Sequence, residues 1–413
     1  MNIWIFNQYA HPPDLPGGTR HYDLGKELVK KGHKVTIFAT SFHHYLHRET
    51  RLQPGEKWKV EETDGIKFVW LRTPPYHRND WRRARNMVAF MLRAWRLGIR
   101  LPRLFPEVEK PDVVIGSSVH LLTPLAAYLV ARHFRVPFVM EVRDLWPQAI
   151  IDVGELSAGH PLVKALQALE RFLYRRAERI IILGPQMKEY ITACGIDQEK
   201  ICWIPNGIDL SSFDRLSKQS LRKSSDDFYV LYLGAHSMSN ALDVVIRAAE
   251  LVQAKGYKSI KFVLVGDGPT KESLIALAQS LAITNVCFRN SVAKTDVPKV
   301  LKEADALLLT KHPTFGAYSG SILKLMDYMA AAKPILYAAR TIYNPVETSR
   351  CGLVVNPGDP QALAEAIIKL YQMPQEEREA MGRRGRQYVE KYHAIPTLAN
   401  KLEQILREVV TNS

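Results

Sequence analysis

Short apolar segments rich in β-branched residues alternate with helix-like segments along the whole sequence. The apolar segments are continuous, so each predicts a strand that is buried on both faces, and the helices between them would supply the cover. The sequence therefore predicts an α/β fold of two consecutive, Rossmann-like, doubly wound parallel-sheet units. The segments are 3–6, 35–39, 66–71, 113–115, 138–142 and 180–183, then 229–233, 262–265, 286–288, 306–309, 335–337 and 353–355.

A length of 413 residues also favours two domains. The turn signal Pro205-Asn206-Gly207 and the polar stretch 211–227 mark the boundary, which predicts domains at 1–205 and 206–393. No strand follows the last helical segment, so we expect residues 394–413 to pack back on the first domain. Ligands bind beyond the carboxyl ends of parallel strands, so the loops of both domains are expected to line an inter-domain cleft.

Composition narrows the class of protein. Hydrophobic residues make up 46% and charged residues 24%, as in ordinary globular proteins. No apolar run approaches the roughly 20 residues of a membrane span, and the N-terminus does not resemble a signal peptide. The four scattered cysteines indicate neither a zinc site nor a disulfide framework, so we expect a reducing, cytoplasmic location. The net charge of +14 predicts an anionic partner: nucleic acid, lipid headgroups or a phosphorylated substrate.

The segment FGAYSGSILKLMDYMAAAKPI at 315–335 is the most informative for function. A loop of small residues that includes Gly320 and Ser321 leads into a short amphipathic helix carrying Lys324 and Asp327. Free N–H groups and the positive end of a helix dipole bind phosphate. Lys324 can add a charge to a diphosphate, and Asp327 can accept hydrogen bonds from sugar hydroxyls. An ordinary loop–helix–strand unit is the alternative interpretation.

Other loops of the second unit end at the same predicted sheet edge. His236 follows the first strand, and Gly266 begins a GDGP turn after the second strand that resembles a nucleotide-edge loop. Arg289 and Asn290 follow the third strand, where their backbone is placed to contact the edge of a base. These residues extend the predicted donor site.

In the first unit, Gly17 and Gly18 precede a helix and permit close approach of the backbone to a ligand, and Arg20 adds charge. Glycine pairs also begin many helices without a ligand. His120 follows the fourth strand, a position that favours a sugar-contacting or polarising role over that of a plain polar loop residue.

The fifth strand ends in a charged segment beside a tryptophan: Glu141, Arg143, Asp144 and Trp146. Burying such charges unpaired is costly, so they either pair with one another or contact a ligand. We assign Arg20, Glu141, Arg143 and Trp146 to the acceptor side of the predicted cleft.

Together these segments resemble the GT-B glycosyltransferases, specifically the large retaining family 4, also called glycosyl transferases group 1. The resemblance covers nearly the whole chain: the glycine pair, EVRDLWP, RAERIIILGPQMKEYI with IPNGIDLSSF, VLVGDGP, and SGSILKLMDYMAAAKPIL. It is strongest toward the bacterial branch that makes surface polysaccharides such as O-antigen, capsule or exopolysaccharide. Members of that branch often transfer N-acetylated deoxyamino sugars such as L-fucosamine.

The resemblance implies transfer, with retention, from a nucleotide diphosphate sugar to a lipid-linked (polyprenyl diphosphate) glycan. The resemblance favours UDP as the nucleotide of the donor. The second unit would hold the donor, with Lys324 on the diphosphate and Asp327 on the ribose. Gly18 would approach the donor phosphates, His120 the transferred sugar, and Asp144 the acceptor. His120, Asp144 and Lys324 are thus the expected catalytic residues. No cofactor is expected, and no metal, because no DxD-like pair occupies a suitable loop.

Two positions depart from the family pattern. The family commonly carries two glutamates eight positions apart, where this sequence has Ser319 and Asp327. An Arg/Lys pair commonly follows the first strand of the second unit, where this sequence reads GAHSMSNALD. His236 is the candidate there, so we expect Lys324 and helix N-termini to meet most of the phosphate charge.

A basic segment between Asp80 and Glu107 contains seven arginines and no acidic residue. Read as a helix, it has an apolar stripe of Val88, Leu92, Trp95 and Ile99 beside a basic stripe of Arg93, Arg96, Arg100 and Arg103. Such a helix suits an anionic membrane surface, which predicts a peripheral location on the inner face of the cell membrane. The alternative is a core-packed helix with a solvated basic face.

Two other functions are compatible with parts of the sequence. A UDP-sugar 2-epimerase shares the two-unit fold but needs acid–base carboxylates on both sides of the sugar, and the sequence offers only Glu141 and Asp144. A non-catalytic protein that binds a nucleotide sugar or nucleic acid is the other alternative. Nucleic acid is disfavoured as a partner, because the arginine-rich face is paired with an aliphatic stripe rather than with interleaved aromatic residues.

Overall fold

A computed structural model describes residues 1–15, 17–44, 46–78, 80–152, 156–217, 227–314, 323–341 and 343–412. The chain divides into two compact units, Met1–Asn206 with Ile395–Ser413, and Gly207–Ala394. The strands are β1 (Asn2–Phe6), β2 (Lys34–Thr40), β3 (Phe42–His43), β4 (Arg48–Glu49), β5 (Trp58–Thr63), β6 (Ile66–Leu71), β7 (Val113–Ser118), β8 (Phe138–Val142), β9 (Arg179–Ile182), β10 (Ile201–Trp203), β11 (Phe228–Leu233), β12 (Ile260–Val265), β13 (Val286–Arg289), β14 (Ala306–Thr310), β15 (Ile335–Ala338) and β16 (Gly352–Val354).

The α-helices lie between these strands and after them. They are α1 (Arg20–Lys30), α2 (Trp81–Gly98), α3 (Leu101–Leu104), α4 (Leu122–Phe134), α5 (Gln148–Asp152), α6 (Pro161–Arg176), α7 (Met187–Ala193), α8 (Ser211–Ser217), α9 (Leu242–Ala254), α10 (Lys271–Ser280), α11 (Val297–Lys302), α12 (Leu323–Ala330), α13 (Pro345–Ser349), α14 (Pro360–Gln372), α15 (Gln375–Tyr392) and α16 (Ile395–Thr411).

The first unit is built on a sheet with the order β10-β9-β8-β7-β1-β2-β6-β5. Its neighbouring strands are parallel except for β5, which pairs with β6 as an antiparallel edge. A separate apolar core packs on each face, with Trp4 and Phe6 on one face and Ile3 and Ile5 on the other. Every residue of β1 is therefore buried, as its unbroken apolar sequence predicts.

The second unit contains a parallel sheet with the order β13-β12-β11-β14-β15-β16. It too has a core on each face, around Leu231 and Leu307 on one side and Val230 and Leu308 on the other. Each apolar segment predicted as a strand is found as one, with ends that differ by at most three residues. The predicted fold class, two doubly wound parallel-sheet units, is confirmed.

The last helix, α16, belongs to the first unit. Its apolar face, which includes Leu398, Leu402 and Leu406, joins the core beneath α1. Glu403 on its other side accepts from Lys31 at 2.9 Å and from His33 at 3.0 Å. Among the described helices, none is long and apolar enough to cross a membrane.

A buried carboxyl group lies inside the first unit, away from the sheet edges. Glu170 on α6 is 1% exposed and accepts hydrogen bonds from the hydroxyls of Tyr174, at 2.9 Å, and Tyr190, at 3.1 Å. Burial raises the pKa of Glu170 to about 7, against an ordinary value of 4.5. The folded protein therefore holds a proton here that the unfolded chain releases between pH 4.5 and 7.

We expect Glu170→Gln to remove a pH-dependent loss of stability. Since the folded-state pKa lies above the unfolded one, the wild type loses stability as pH rises through this window, by up to about 3 kcal/mol. The variant should match the wild type near pH 4.5 and melt at a higher temperature at pH 8. Melting curves between pH 4.5 and 8 test this, with Glu189→Gln, exposed on α7, as control. A difference in melting temperature between Glu170→Gln and the wild type that does not change with pH would contradict the expectation.

Candidate functional site

In the second unit, Lys324 lies against the carboxyl end of β11. Its side chain extends from the first turn of α12. Its Nζ donates to the Tyr232 hydroxyl at 2.9 Å and lies 4.5 Å from the centre of the Tyr232 ring. A Cβ at Gly234 would lie 2.4 Å from Nζ. The glycine therefore leaves the room that lets the lysine reach the end of this strand.

The charge of Lys324 is not balanced by its described surroundings. No described carboxylate lies within 4 Å of its Nζ, and the second cation nearby is Lys311, which directly follows β14. Burial, reinforced by Lys311, lowers the pKa of Lys324 to about 7. Two half-buried lysines at one sheet edge are an arrangement that favours an anionic ligand.

His236 lies beside this lysine, in the loop after β11. It is fully buried, and neither ring nitrogen has a hydrogen-bond partner in the described part of the chain. Burial lowers the pKa of His236, and Lys271 lowers it further, so the ring is neutral. Its backbone N–H donates to the Asp267 carbonyl at 2.9 Å. A Cβ at Gly266 would lie 1.9 Å from the Gly234 carbonyl oxygen, so Gly266 is required for the two loops to pack.

The loop that follows β13 is held by Lys271. Its Nζ donates to Asp267 Oδ1 at 2.6 Å and to Asn290 Oδ1 at 2.9 Å, while Asp267 Oδ2 accepts from the Ser291 N–H at 2.7 Å. The Arg289 side chain pairs instead with Glu303 at 2.6 Å. This loop therefore offers its backbone, and not the arginine charge, to a ligand.

Asp327 lies one turn after Lys324 on α12. Both of its carboxylate oxygens accept from Lys294 Nζ at 2.7 Å, and the Lys294 side chain is 74% exposed. Burial raises the pKa of Asp327 and Lys294 partly offsets this. A hydroxyl ligand of Asp327 must compete with this exposed lysine. Gly320 and Ser321, also predicted for this site, lie outside the described residues.

In the first unit, Arg20 and Glu141 form a buried ion pair. Arg20 Nε donates to Glu141 Oε2 at 2.9 Å and its Nη2 to the Ile204 carbonyl at 2.9 Å, and Nη1 donates to the Pro205 carbonyl. Burial alone would raise the pKa of Glu141, but Arg20 and His21 hold it well below its ordinary value. Assigning these two side chains to acceptor contacts is therefore corrected: they are 6% and 3% exposed and satisfy each other.

Neutral groups complete the pairing of Glu141. His21 Nε2–H and the Ser117 hydroxyl both donate to Glu141 Oε1 at 2.8 Å. Asn7 donates to Ser117 at 2.9 Å and contacts His21 Nδ1 at 3.2 Å. The network ties α1, β7 and β8 to the last residues before the unit boundary. It leaves Glu141 with no free oxygen for acid–base chemistry, which the epimerase alternative would need.

His120 is buried at the end of β7, in the turn before α4. It is 2% exposed, its Nε2 donates to Gln8 Oε1 at 2.5 Å, and Gln8 in turn donates to Asn86 at 2.5 Å. Burial, with Arg83 nearby, lowers the pKa of His120 to about 3, so the ring is neutral. Nδ1 carries the lone pair and has no hydrogen-bond partner among the described residues. This atom is available to accept from a hydroxyl.

The remaining predicted residues of the first unit lie at the same edge. Arg143 is half-buried and its N–H donates to Ser118 at 3.2 Å, while Asp144 is exposed. Trp146 is half-buried and packs against the core. Gly17 is exposed and, with Gly18, immediately precedes α1.

Several residues of these two edges were not predicted from the sequence. They are Tyr232 and Lys311 in the second unit, and Gln8, His21 and Asn86 in the first. Lys311, which directly follows an apolar strand, carried a usable sequence signal. The described residues contain no group of three or more His, Cys, Asp or Glu side chains placed to hold a metal ion.

The basic helix α2 is rotated relative to the predicted stripe. Its buried face is formed by Met87, Phe90, Ala94 and Leu97. Trp95 is half-buried and packs against the core, so its assignment as a membrane-facing residue is corrected. The predicted apolar stripe is displaced by about one residue from the face of α2 that is buried. Both sets of residues have helical spacing, so the spacing alone does not distinguish them.

Five arginines on α2 and just after it are exposed, as is the tryptophan at the start of the helix. Arg93, Arg96 and Arg100 face solvent. Trp81 is 63% exposed, with the guanidinium groups of Arg82 and Arg85 at 5.5 and 5.3 Å from its ring centre. We call Trp81, Arg82, Arg85, Arg93, Arg96 and Arg100 the basic face.

Comparison with known proteins identifies the two units. Residues 17–207 match the glycosyl transferase 4-like domain, and residues 213–388 match glycosyl transferases group 1. WcaI of Escherichia coli K12, assigned to colanic acid biosynthesis as a glycosyl transferase, is 22% identical over 327 residues, 75% of this chain and 77% of WcaI.

Two solved structures share the fold over essentially the whole chain. Sucrose-phosphate synthase from Thermosynechococcus elongatus superposes with a TM-score of 0.72 at 17% identity, covering 100% of both chains. Anabaena HepE in complex with UDP superposes with a TM-score of 0.68 at 14% identity, covering 99% of this chain and 100% of HepE. The chain therefore belongs to the glycosyltransferases of GT-B fold, with a glycosyl transferase 4-like domain followed by a glycosyl transferases group 1 domain.

Proposed function

We propose that this protein transfers a sugar, with retention at the anomeric carbon, from a UDP-linked donor to a lipid-linked glycan during surface-polysaccharide biosynthesis. The observation that carries the proposal is Lys324, a half-buried lysine that has a second lysine beside it and no described carboxylate within 4 Å of its Nζ. A nucleotide diphosphate supplies the missing negative charge. The match to WcaI supports a role in polysaccharide synthesis, and the match to HepE with UDP supports the choice of base.

The donor contacts follow from the second unit. Lys324 binds the diphosphate, Lys311 adds charge, and the buried His236 ring lies beside them. Asp327 accepts from the ribose hydroxyls in place of Lys294. The backbone of Arg289 and Asn290, held by Lys271, borders the base. An N-acetylated deoxyamino sugar is the transferred group that the sequence resemblance favours.

The proposed reaction uses no covalent protein nucleophile. Fixed cations stabilise the diphosphate as it leaves, and this electrostatic preorganisation is commonly the largest contribution to such catalysis. Lys324 does this at the donor, while the neutral His120 accepts from a hydroxyl of the transferred sugar through Nδ1. Asp144 and Arg143, at the edge of the first unit, contact the acceptor. No metal ion takes part.

The acceptor is proposed to reach the enzyme at the cytoplasmic surface of the membrane. A polyprenyl diphosphate glycan is confined to the bilayer, and the basic face supplies positive charge toward anionic headgroups. Each exposed arginine near such a surface contributes about 1 kcal/mol.

Reversing charge on the basic face should release the protein from anionic vesicles. For Arg93→Glu, Arg96→Glu and Arg100→Glu together, we expect a loss of at least 100-fold in partitioning, measured by co-sedimentation with phosphatidylglycerol vesicles. The matched control replaces the exposed Lys255, Lys258 and Lys299 of the second unit by Glu. Equal losses in the two triple variants would show that net charge, and not this face, governs binding.

A thermal-shift screen against UDP, GDP, TDP, CMP and single-stranded DNA tests the proposed donor. A ligand that binds the native state raises the melting temperature by mass action. A selective shift with UDP supports the proposal, and a shift with DNA alone overturns it.

Membranes supplying acceptor and a panel of radiolabelled UDP-sugars then test transfer. We expect label in the lipid fraction with EDTA present; a requirement for Mg²⁺ or Mn²⁺ would refute the metal-free step.

A further inference from the structure

The solvent-facing side of helix α6 carries a line of apolar residues, where a surface helix is normally polar. The residues of this line follow one another at spacings of four, three and four, and all are exposed: Pro161, Ala165, Ala168 and Phe172. We call them the outer stripe, which is about 16 Å long. Isolated exposed apolar residues are common, but a helical line of them without a polar member resembles the buried face of a helix.

Basic side chains border the outer stripe on both sides. Lys164, Arg171 and Arg175 lie along one side at helical spacing, and Arg176 lies on the other. All four are exposed. The helix, every residue of which the structure describes, contains one acidic residue, Glu170, and that residue is buried. The exposed surface of α6 therefore carries four positive charges and no negative charge.

A groove of about 460 Å³ lies along the C-terminal half of this surface. Arg176 lies over the Phe172 ring, with its guanidinium carbon 5.5 Å from the ring centre, and Tyr128 of α4 meets the same ring edge to face at 5.3 Å. Phe172, 37% exposed, thus forms a wall of the groove, and the small side chain of Ala168 leaves its floor low. The lining residues are Ala168, Arg171, Phe172, Arg175 and Arg176.

We propose that this face of α6 binds an acidic amphipathic helix of a partner protein. Apolar side chains of that helix, three and four residues apart, cover the outer stripe, and its flanking Asp or Glu residues pair with Lys164, Arg171 and Arg175. The small residues at the centre of the stripe, Ala165 and Ala168, let the axes of the two helices approach to about 8 Å.

Charge and shape favour this partner over other occupants. A second copy of the chain, docked through the same stripe, would bring two sets of arginines together with no acid between them. A nucleic acid would pair with the arginines and leave the apolar stripe uncovered. A bilayer is contacted by side chains that protrude, whereas Ala165 and Ala168 make the middle of this stripe recessed.

The docking face is separate from the predicted catalytic edge of the first unit. α6 runs from the loop after β8 back to the start of β9, and these two strands are parallel. Its C-terminal half therefore lies toward the amino edge of the sheet, whereas His120 and Asp144 follow strands at the carboxyl edge. Partner binding is thus compatible with sugar transfer, and the two can be tested independently.

Site-specific photo-crosslinking of the full-length protein, in the cells that produce it, tests this inference. p-Benzoylphenylalanine replaces Phe172, of which it is an analogue, or Leu162, which is 52% exposed beside the stripe. Val354, 47% exposed in the second unit, is the matched control position. We expect positions 162 and 172, and not 354, to crosslink to one protein. Mass spectrometry should map the crosslink to a helix of net negative charge with apolar residues three and four apart.

The other occupants are distinct outcomes of the same experiment. Crosslinks at positions 162 and 172 that reach lipid, a second copy of this chain, or nothing would each overturn the proposal. A mapped protein segment that lacks the negative charge or the helical apolar pattern would overturn it too.

Ala168→Glu tests the contact with purified proteins. Glutamate keeps good helix propensity, but it sets a like charge against the acidic partner and prevents close approach. We expect the mapped segment, as a fluorescent peptide, to bind Ala168→Glu at least 10-fold more weakly than the wild type in anisotropy titrations. Ala276→Glu, at an exposed alanine of α10, should bind it as the wild type does.

Equal peptide binding by wild type and a folded Ala168→Glu protein would refute the docking face. Melting temperatures report whether each variant is folded. Both variants should keep the thermal shift of the wild type with UDP, because neither residue belongs to the donor site. Absence of that shift in the wild type would refute the proposed transferase and leave the docking face standing.

Discussion

Lys324→Ala is expected to weaken UDP binding by about 10- to 150-fold, and to lower sugar transfer by at least as much. One charge-assisted hydrogen bond to an anion is worth about 1.5–3 kcal/mol, and no described acid shares this lysine. Isothermal titration calorimetry measures the affinity. Lys299→Ala, an exposed lysine of the same unit, is the control. An affinity loss below threefold would contradict placement of the diphosphate at Lys324.

The same lysine should make UDP affinity depend on pH. The pKa of Lys324 is about 7 in the free protein, and a bound diphosphate raises it. Protonated Lys324 binds the ligand, so affinity is highest below pH 7 and falls as pH rises, by about 10- to 30-fold between pH 7 and 8.5. Lys324→Ala should be nearly flat over this range. Equal slopes in the two proteins would show that another group titrates.

Glu141→Gln is expected to cost about 3–5 kcal/mol of unfolding free energy in the first unit. The substitution leaves Arg20 charged, buried and without its partner. For a unit of this size, we expect a fall in melting temperature of about 6–20 °C. Arg20→Met should have a similar effect because it leaves Glu141 buried without its charged partner. The double substitution should cost less unfolding free energy than the sum of the two single substitutions.

An exposed ion pair of the same unit supplies the control for this stability effect. Lys34 and Glu109 pair on the surface, with side chains 65% and 57% exposed. Such pairs contribute about 0–1 kcal/mol. Glu109→Gln should therefore melt within a few degrees of the wild type in differential scanning calorimetry. A Glu141→Gln protein as stable as Glu109→Gln would show that the buried Arg20 does not need the Glu141 charge as its partner.

The buried strands were predictable because both of their faces are covered by helices. Strands such as β1 and β14 are then apolar along almost their whole length, and this gives an unbroken apolar segment in the sequence. The edge strand β5 was not predicted, because it is not buried on both faces. Residues of β5, Trp58 to Thr63, are half-buried or exposed, so Lys59, Glu61 and Glu62 interrupt the apolar run.

The site was predictable only as far as chain order specifies it. A residue that follows a parallel strand lies at the carboxyl edge, so His120 and His236 were placed there from the sequence. Lys311 was missed although the same rule applies to it. The partners of these side chains could not be predicted from the sequence. Arg20 and Glu141 are 121 positions apart. Arg289 was expected to contact the donor through its backbone, and its side chain pairs with Glu303. Trp95 was expected to face lipid and packs on the core.

The sequence by itself determined the α/β class, the order of strands and helices, and the sheet edges where chemistry-bearing residues collect. Each of these follows from local periodicity and from the burial that a parallel sheet demands. The tertiary structure decided which charges are neutralised and which remain. It joined Arg20 to Glu141 and left Lys324 without a described acid. Hydrogen bonds and ion pairs form over about 3 Å, and only the folded chain brings residues a hundred positions apart within that distance.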